Sequence, residues 1–125
     1  MADIKMTLSR DPSLRAPNIE EEKRWLEKEG RLWYPLGRYC PKKAHPGCWV
    51  YFIRGGRLVA RAKAISFDPP SNTPKVSYKG VLAKQGSWEV CITSMELAKQ
   101  VVLYKGFQGF RYVTDQEKRQ FEEAF

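Results

Sequence analysis

The sequence predicts an α+β fold: a small curled β-sheet or pseudobarrel of about five to six strands, flanked by two helices. Three observations carry it. Short segments of alternating apolar and polar residues recur along the chain, as half-buried strands require. The pair Gly55-Gly56 joins two such segments in the stretch "WVYFIRGGRLVARAKA". Helix-capping signals at Asn18 and Thr114 open two runs with helical chemistry.

Along the chain, "IKMTLS" alternates Ile4, Met6 and Leu8 with polar neighbours and reads as a strand. A loop with Pro12 and Pro17 follows. Asn18 stands three residues ahead of Glu21, and Glu20, Glu21 and Glu22 load the next turn with acid. Lys23, Arg24 and Lys28 come later, as the macrodipole favours. The spacing predicts a helix over 19–29, closed by Gly30. Its apolar side is narrow (Ile19, Trp25, Leu26), so it should lie on a sheet.

"RLWYPLGRYCPKKAHPG" reads as a long connection rich in Pro, Gly and aromatic residues, and connections of that length are often functional. In the hairpin, a two-residue Gly-Gly turn sets Arg54 opposite Arg57 and Ile53 opposite Leu58. A regular ladder continues with Phe52 opposite Val59, Tyr51 opposite Ala60 and Val50 opposite Arg61. Trp49, Tyr51, Ile53, Leu58, Ala60 and Ala62 then form a core face. Val50, Phe52, Arg54, Arg57, Val59, Arg61 and Lys63 form a basic outer one.

"DPPSNTP" is a loop, and "KVSYKGVLA" and "SWEVCITS" are strands. "MELAKQVVLYKG" divides between helix and strand propensity. "FQGFRYV" is a strand, and Thr114 with Glu117 forms a capping box for a terminal helix. Phe107 and Phe110 are expected to pack that strand onto the helix. No internal repeat or linker divides the chain, so residues 1–125 are read as a single domain.

With 42% hydrophobic and 13% aromatic residues, the composition is that of a folded chain. No apolar run approaches the ~18 residues of a membrane span, and the start lacks a signal-peptide core. The expectation is a cytoplasmic protein without membrane contact. Lys and Arg number 22 against 14 acids, a formal charge of +8 that favours an anionic partner. A merely well-solvated basic surface is the alternative. The three cysteines argue against a disulfide framework. Cys40, His45 and Cys48 cluster in "CPKKAHPGC", but no second ligand group completes a zinc set, and Cys91 reads as core. No metal or cofactor is expected.

"HPGCWVYFIRGGRLVARAKAISF" resembles a strand pair of the PUA-like superfamily, in particular of its EVE and ASCH domains. That pattern is Gly-Asp-x-Val-x-Phe-Tyr, followed by a Gly-x-Ile-Val-Gly-x-Ala-x-Val return strand. Cys48 stands in place of the Asp and Ala60 in place of the Gly. "GRLWYPLGRY" is similar to a Trp-Gly-Val-Arg-like segment of EVE domains, and "FQGFRYVTDQEKRQFEEAF" to their closing strand and helix. The resemblance covers about half the chain and leaves out 68 to about 105.

What the resemblance implies is a pseudobarrel with a nucleic-acid cleft, taking a single base, often modified, in an aromatic-walled pocket. Trp33, Tyr34 and Tyr39 would supply rings, Arg10 and Arg38 cations, and Ser9 a polar contact. Arg54, Arg57, Arg61 and Lys63 would face phosphates, or form a solvated face. Trp33 and Tyr34 divide between pocket and packing, while Trp49, Tyr51 and Trp88 read as core.

The ASCH signature resembles Gly-x-Lys-x-x-Glu-x-Arg. "EGRLWYPLGR" keeps Gly30 but lacks that Lys and Glu, which leaves no general base there. A set of Tyr51, Lys63 and Ser94 would suit a metal-free ribonuclease, but nothing in the sequence joins them. The expected function is a nucleic-acid-binding module for RNA or a modified base, single-stranded or flipped out. An ASCH-type ribonuclease or amidohydrolase, and a regulatory interaction domain on the same scaffold, are the alternatives.

Overall fold

A computed structural model of the chain describes residues 2–10, 15–71 and 86–125. Its element order is β1 (Ile4–Thr7), α1 (Ile19–Glu29), β2 (Leu32–Gly37), β3 (Trp49–Arg54), β4 (Arg57–Lys63), β5 (Ser66–Asp68), β6 (Trp88–Ile92), β7 (Glu96–Leu97), β8 (Phe110–Tyr112) and α2 (Asp115–Glu122). The fold is α+β, with eight strands in two sheets rather than one curled sheet of five or six. One sheet has the order β7-β4-β3-β1-β8 and the other β2-β6-β5, without closure into a barrel among the described residues. The expected 75–83 strand, the Pro12 turn and the end of the "DPPSNTP" loop lie outside the described residues.

Both helices form where their caps place them. Asn18 Oδ1 accepts from the Glu21 amide at 2.8 Å, and Gly30 closes α1 in the left-handed region at φ 88°. At α2, Thr114 and Glu117 exchange both capping-box hydrogen bonds, each at 3.1 Å. The "RLWYPLG" stretch is strand β2 and not a loop: its residues alternate buried and half-buried, with Leu32, Tyr34 and Leu36 turned inward.

β1 and β3 run parallel, the other neighbours in the larger sheet antiparallel, so α1 and β2 form the crossover between them. That puts β3 at the centre of the sheet, and both of its faces are buried. Val50 and Phe52 join Ile4, Met6, Leu26, Tyr34 and Ile92 in one cluster, between the two sheets and under α1. Tyr51 and Ile53 join Leu58, Phe121 and Ala124 in a second, under α2. The expected basic, part-apolar outer face of the hairpin is therefore buried at Val50 and Phe52 and open towards the tip, at Arg57. The rings expected on the last strand also divide: Phe107, which precedes β8, packs towards α2, as expected, whereas Phe110 of β8 packs into the other cluster.

The hairpin register departs from a regular ladder for one reason. The turn is as expected, with Gly55 and Gly56 at φ 61° and 78°, Arg54 opposite Arg57 and Ile53 opposite Leu58. Phe52 then faces Ala60 and not Val59, which leaves Val59 as a β-bulge. From there every residue of β4 changes side: Tyr51 faces Arg61, and Trp49 faces Lys63. The hairpin's cations are split. Arg54 and Arg57 stay on the α1 side, while Arg61 and Lys63 move to the α2 side.

The α2 side is also fixed electrostatically. Lys5, buried on β1, donates to the Tyr104 hydroxyl at 2.6 Å and pairs with Glu117 of α2 at 2.5 Å. Tyr104 donates in turn to Glu117 at 2.5 Å. Desolvation works to raise the Glu117 pKa, but the hydrogen bonds from Lys5, Tyr104 and Thr114 prevail and pull it down to about 2. A carboxyl held below its unfolded value stabilises the fold above about pH 4.5, and that contribution is lost as pH falls towards 2. Glu117→Gln keeps the cap but not the charge, and should cost on the order of 2–3 kcal/mol at pH 7. Urea unfolding at pH 7 and pH 3 checks this: the gap between variant and parent should narrow at the lower pH.

Candidate functional site

The tip of the hairpin is stapled to the start of α1. Arg54 Nη2 donates to the Ala16 carbonyl at 2.6 Å, and Nη1 lies 3.9 Å from Glu22 Oε2. Glu22 is fully buried, with Arg15 Nη1 at 3.6 Å and the Tyr34 hydroxyl donating to Oε1 at 3.2 Å. The Arg15 guanidinium also stacks on the Tyr34 ring, 4.6 Å from its centroid. Burial lifts the Glu22 carboxyl above the ordinary carboxylate range, against the pull of Arg15, Tyr34 and Arg54. Burial likewise holds the Tyr34 phenol well above its usual value. Tyr34 and Arg54 are thus structural parts of the α1 side.

Beside this staple lies a cleft of about 500 Å³ between the hairpin tip and the N-terminal turn of α1. Arg10, Arg54 and Arg57 border it, with Asn18, Ile19 and Glu20 across from them. A narrower extension of about 180 Å³ shares Ile19, Glu20, Arg57 and Val59 with the cleft and runs on past Lys99, Gln100 and Val101. Together they make one groove along the end of β4. Arg10 and Arg57 are exposed and have no carboxylate partner among the described residues. Glu20 is the one carboxylate among the described residues lining the groove. The α1 N-terminus adds the positive end of a helix dipole.

The residues expected to wall a base pocket do not converge. Trp33 and Tyr34 are neighbours on a strand and so face opposite sides of the smaller sheet. Tyr34 is fully buried, and the half-buried Trp33 donates through Nε1 to Asp68 of β5 at 2.8 Å. Arg38 and Tyr39 lie exposed beyond β2, and Ser9 is exposed beyond β1. Of the six, Arg10 alone lines the groove.

Of the four expected phosphate-facing residues, Arg54 and Arg57 line the groove and Arg61 and Lys63 do not. Arg61 stacks on Trp49 at 4.0 Å and on Phe125 at 4.6 Å, and is held by Glu96 at 3.0 Å. Lys63 and Ser94 meet at a separate cleft of about 280 Å³ beside Trp49. Tyr51, the third member of the ribonuclease set, is fully buried. The thiol of Cys48 is buried and pushed up to about 11 by desolvation and by Asp3. Among the described residues no cluster of His, Cys, Asp or Glu is placed to hold a metal, and no helix is long and apolar enough to cross a membrane.

Sequence reasoning passed over the first turn of α1 and the 99–101 segment as groove walls. The cap at Asn18 marked the helix start, but nothing local to it pointed at the hairpin. No protein-family model, curated protein or solved structure matches the chain.

The two hairpin arginines should respond differently to substitution. Arg54→Gln leaves buried Glu22 with one partner fewer and should cost about 2–4 kcal/mol. Arg57→Gln touches an exposed side chain and should stay within about 0.5 kcal/mol of the parent. Thermal and urea unfolding of both variants measure this.

Proposed function

We propose that the chain is a nucleic-acid-binding module of PUA-like type, which grips a phosphate backbone in the groove between the hairpin tip and α1. The observation that carries this reading is the convergence of Arg10, Arg54 and Arg57 on one cleft that has a single carboxylate among its described residues. Guanidinium groups present forked donors to phosphate oxygens, and a helix N-terminus favours the same charge. Lys99 extends the positive wall along the groove. The net charge of +8 adds long-range attraction to a polyanion.

Binding is favoured over catalysis by the groove's lining. Its described residues include no His, Cys, Ser or Tyr, and no second carboxylate to share acid–base work with Glu20. Phosphate contacts position a strand without reading its sequence. The resemblance of the hairpin and its flanks to EVE and ASCH domains points to the same class of ligand.

Fluorescence anisotropy with labelled single-stranded RNA and DNA across a salt series tests the proposal. Each neutralised phosphate contributes a slope of about −0.7 to log K against log salt, so the three exposed groove cations, Arg10, Arg57 and Lys99, give roughly −2. Arg57→Gln should lower the magnitude of the slope by about 0.7. A flat salt dependence, or no binding at low salt, would exclude the reading.

A further inference from the structure

We infer that the groove selects single strands over duplexes, through Val101 and Leu103, an inference that rests on the nucleic-acid reading above. These two aliphatic side chains are 68% and 77% exposed, the highest values among the well-exposed aliphatics of the described residues. Isolated surface aliphatics are ordinary. These two stand together beside Arg57, which has no carboxylate partner among the described residues.

Their placement follows from the edge of the larger sheet. Leu103 forms an antiparallel bridge with Arg57, and Arg57 in turn faces Arg54. Residues paired across antiparallel strands share a face. Arg54, Arg57 and Leu103 therefore form one row across three neighbouring segments, on the α1 side. Val101 lines the groove itself, next to Lys99. One wall of the groove is thus cationic and its edge is apolar.

The apolar edge is held in place. Ala98 donates to the Val59 carbonyl at 2.9 Å, Leu58 to Val102 at 2.8 Å, and Tyr104 to Gly56 at 2.9 Å. Lys99 donates to Ala124 at 2.6 Å, which ties the same segment to the chain end. The bulged Val59 supplies one of these acceptors, so the device that splits the hairpin's charge also anchors this segment.

The chemistry identifies the occupant. A duplex presents phosphates outward and keeps its base faces stacked inside, so it can use the arginines and nothing else in the groove. A single strand carries the same phosphates and can also turn an unstacked base onto an apolar surface. Covering Val101 and Leu103 with base or sugar removes apolar area from water, a gain open to the single strand alone.

The test compares a labelled 12-nucleotide single strand, as RNA and as DNA, with the duplex of the same sequence at one salt concentration. The parent should bind either single strand roughly tenfold more tightly than the duplex. The double variant Val101→Ser, Leu103→Ser should lose roughly fivefold or more of single-strand affinity, with duplex affinity and salt slope unchanged. Both positions are exposed, and an unchanged melting temperature verifies the fold. Equal parental affinity for strand and duplex, or an unaltered ratio in the double variant, overturns the inference and leaves the phosphate-groove reading standing. Absence of salt-dependent binding to either form overturns both.

Discussion

One residue, Val59, decides what the hairpin's positive charge does. Without a bulge, the tight Gly-Gly turn would line up Arg54, Arg57, Arg61 and Lys63 on a single face. Because Val59 has no partner on β3, the ladder shifts by one position and the cations divide. Arg61 and Lys63 go to the α2 side, where both lie over the Trp49 ring. Arg54 and Arg57 remain at the tip, facing α1. The shift also lets Ala60 and Ala62 turn into the core between the sheets, where a guanidinium would lie uncompensated.

Two carboxylates, Glu22 buried and Glu117 half-buried, then fasten a helix to each side of the central sheet. Glu22 holds α1 through Arg15, Arg54 and Tyr34, and Glu117 holds α2 through Lys5 and Tyr104. The pairs differ in geometry. Glu117 is tightly hydrogen-bonded and its carboxyl is held low, whereas Glu22 faces Arg54 across 3.9 Å and its carboxyl is raised by burial. Removing one member of such a pair leaves the other charged and dry, which is what makes these contacts restrictive. The groove's floor is in this way a by-product of how α1 is held: the arginine that closes the fold is also one of those bordering the cleft.

Local chemistry was the part of this structure open to reading from sequence. The caps at Asn18 and Thr114, the stop at Gly30 and the Gly55-Gly56 turn each depend on residues within one turn of each other, and each formed as expected. What failed depended on tertiary context. "RLWYPLG" has loop composition, yet pairing with β6 makes it a strand and sends Tyr34 into the core. The bulge at Val59 has no local signature such as a glycine in the strand, and so the faces of β4 were assigned one position out of step. Arg10 and Arg57 were legible as cations, but their meeting with the first turn of α1 depends on a crossover between parallel strands that periodicity does not reveal.

The central claim is that the α1–hairpin groove is where a polyanion binds, and amide chemical-shift mapping during titration with a short single-stranded oligonucleotide tests it most directly. The largest shifts are expected at 18–20, 54–59 and 99–101, the segments that border the groove, and at Leu103, bridged to Arg57. Shifts centred instead on Trp33, Arg38 and Tyr39, or on Trp49, Lys63 and Ser94, with the hairpin tip unmoved, would contradict it.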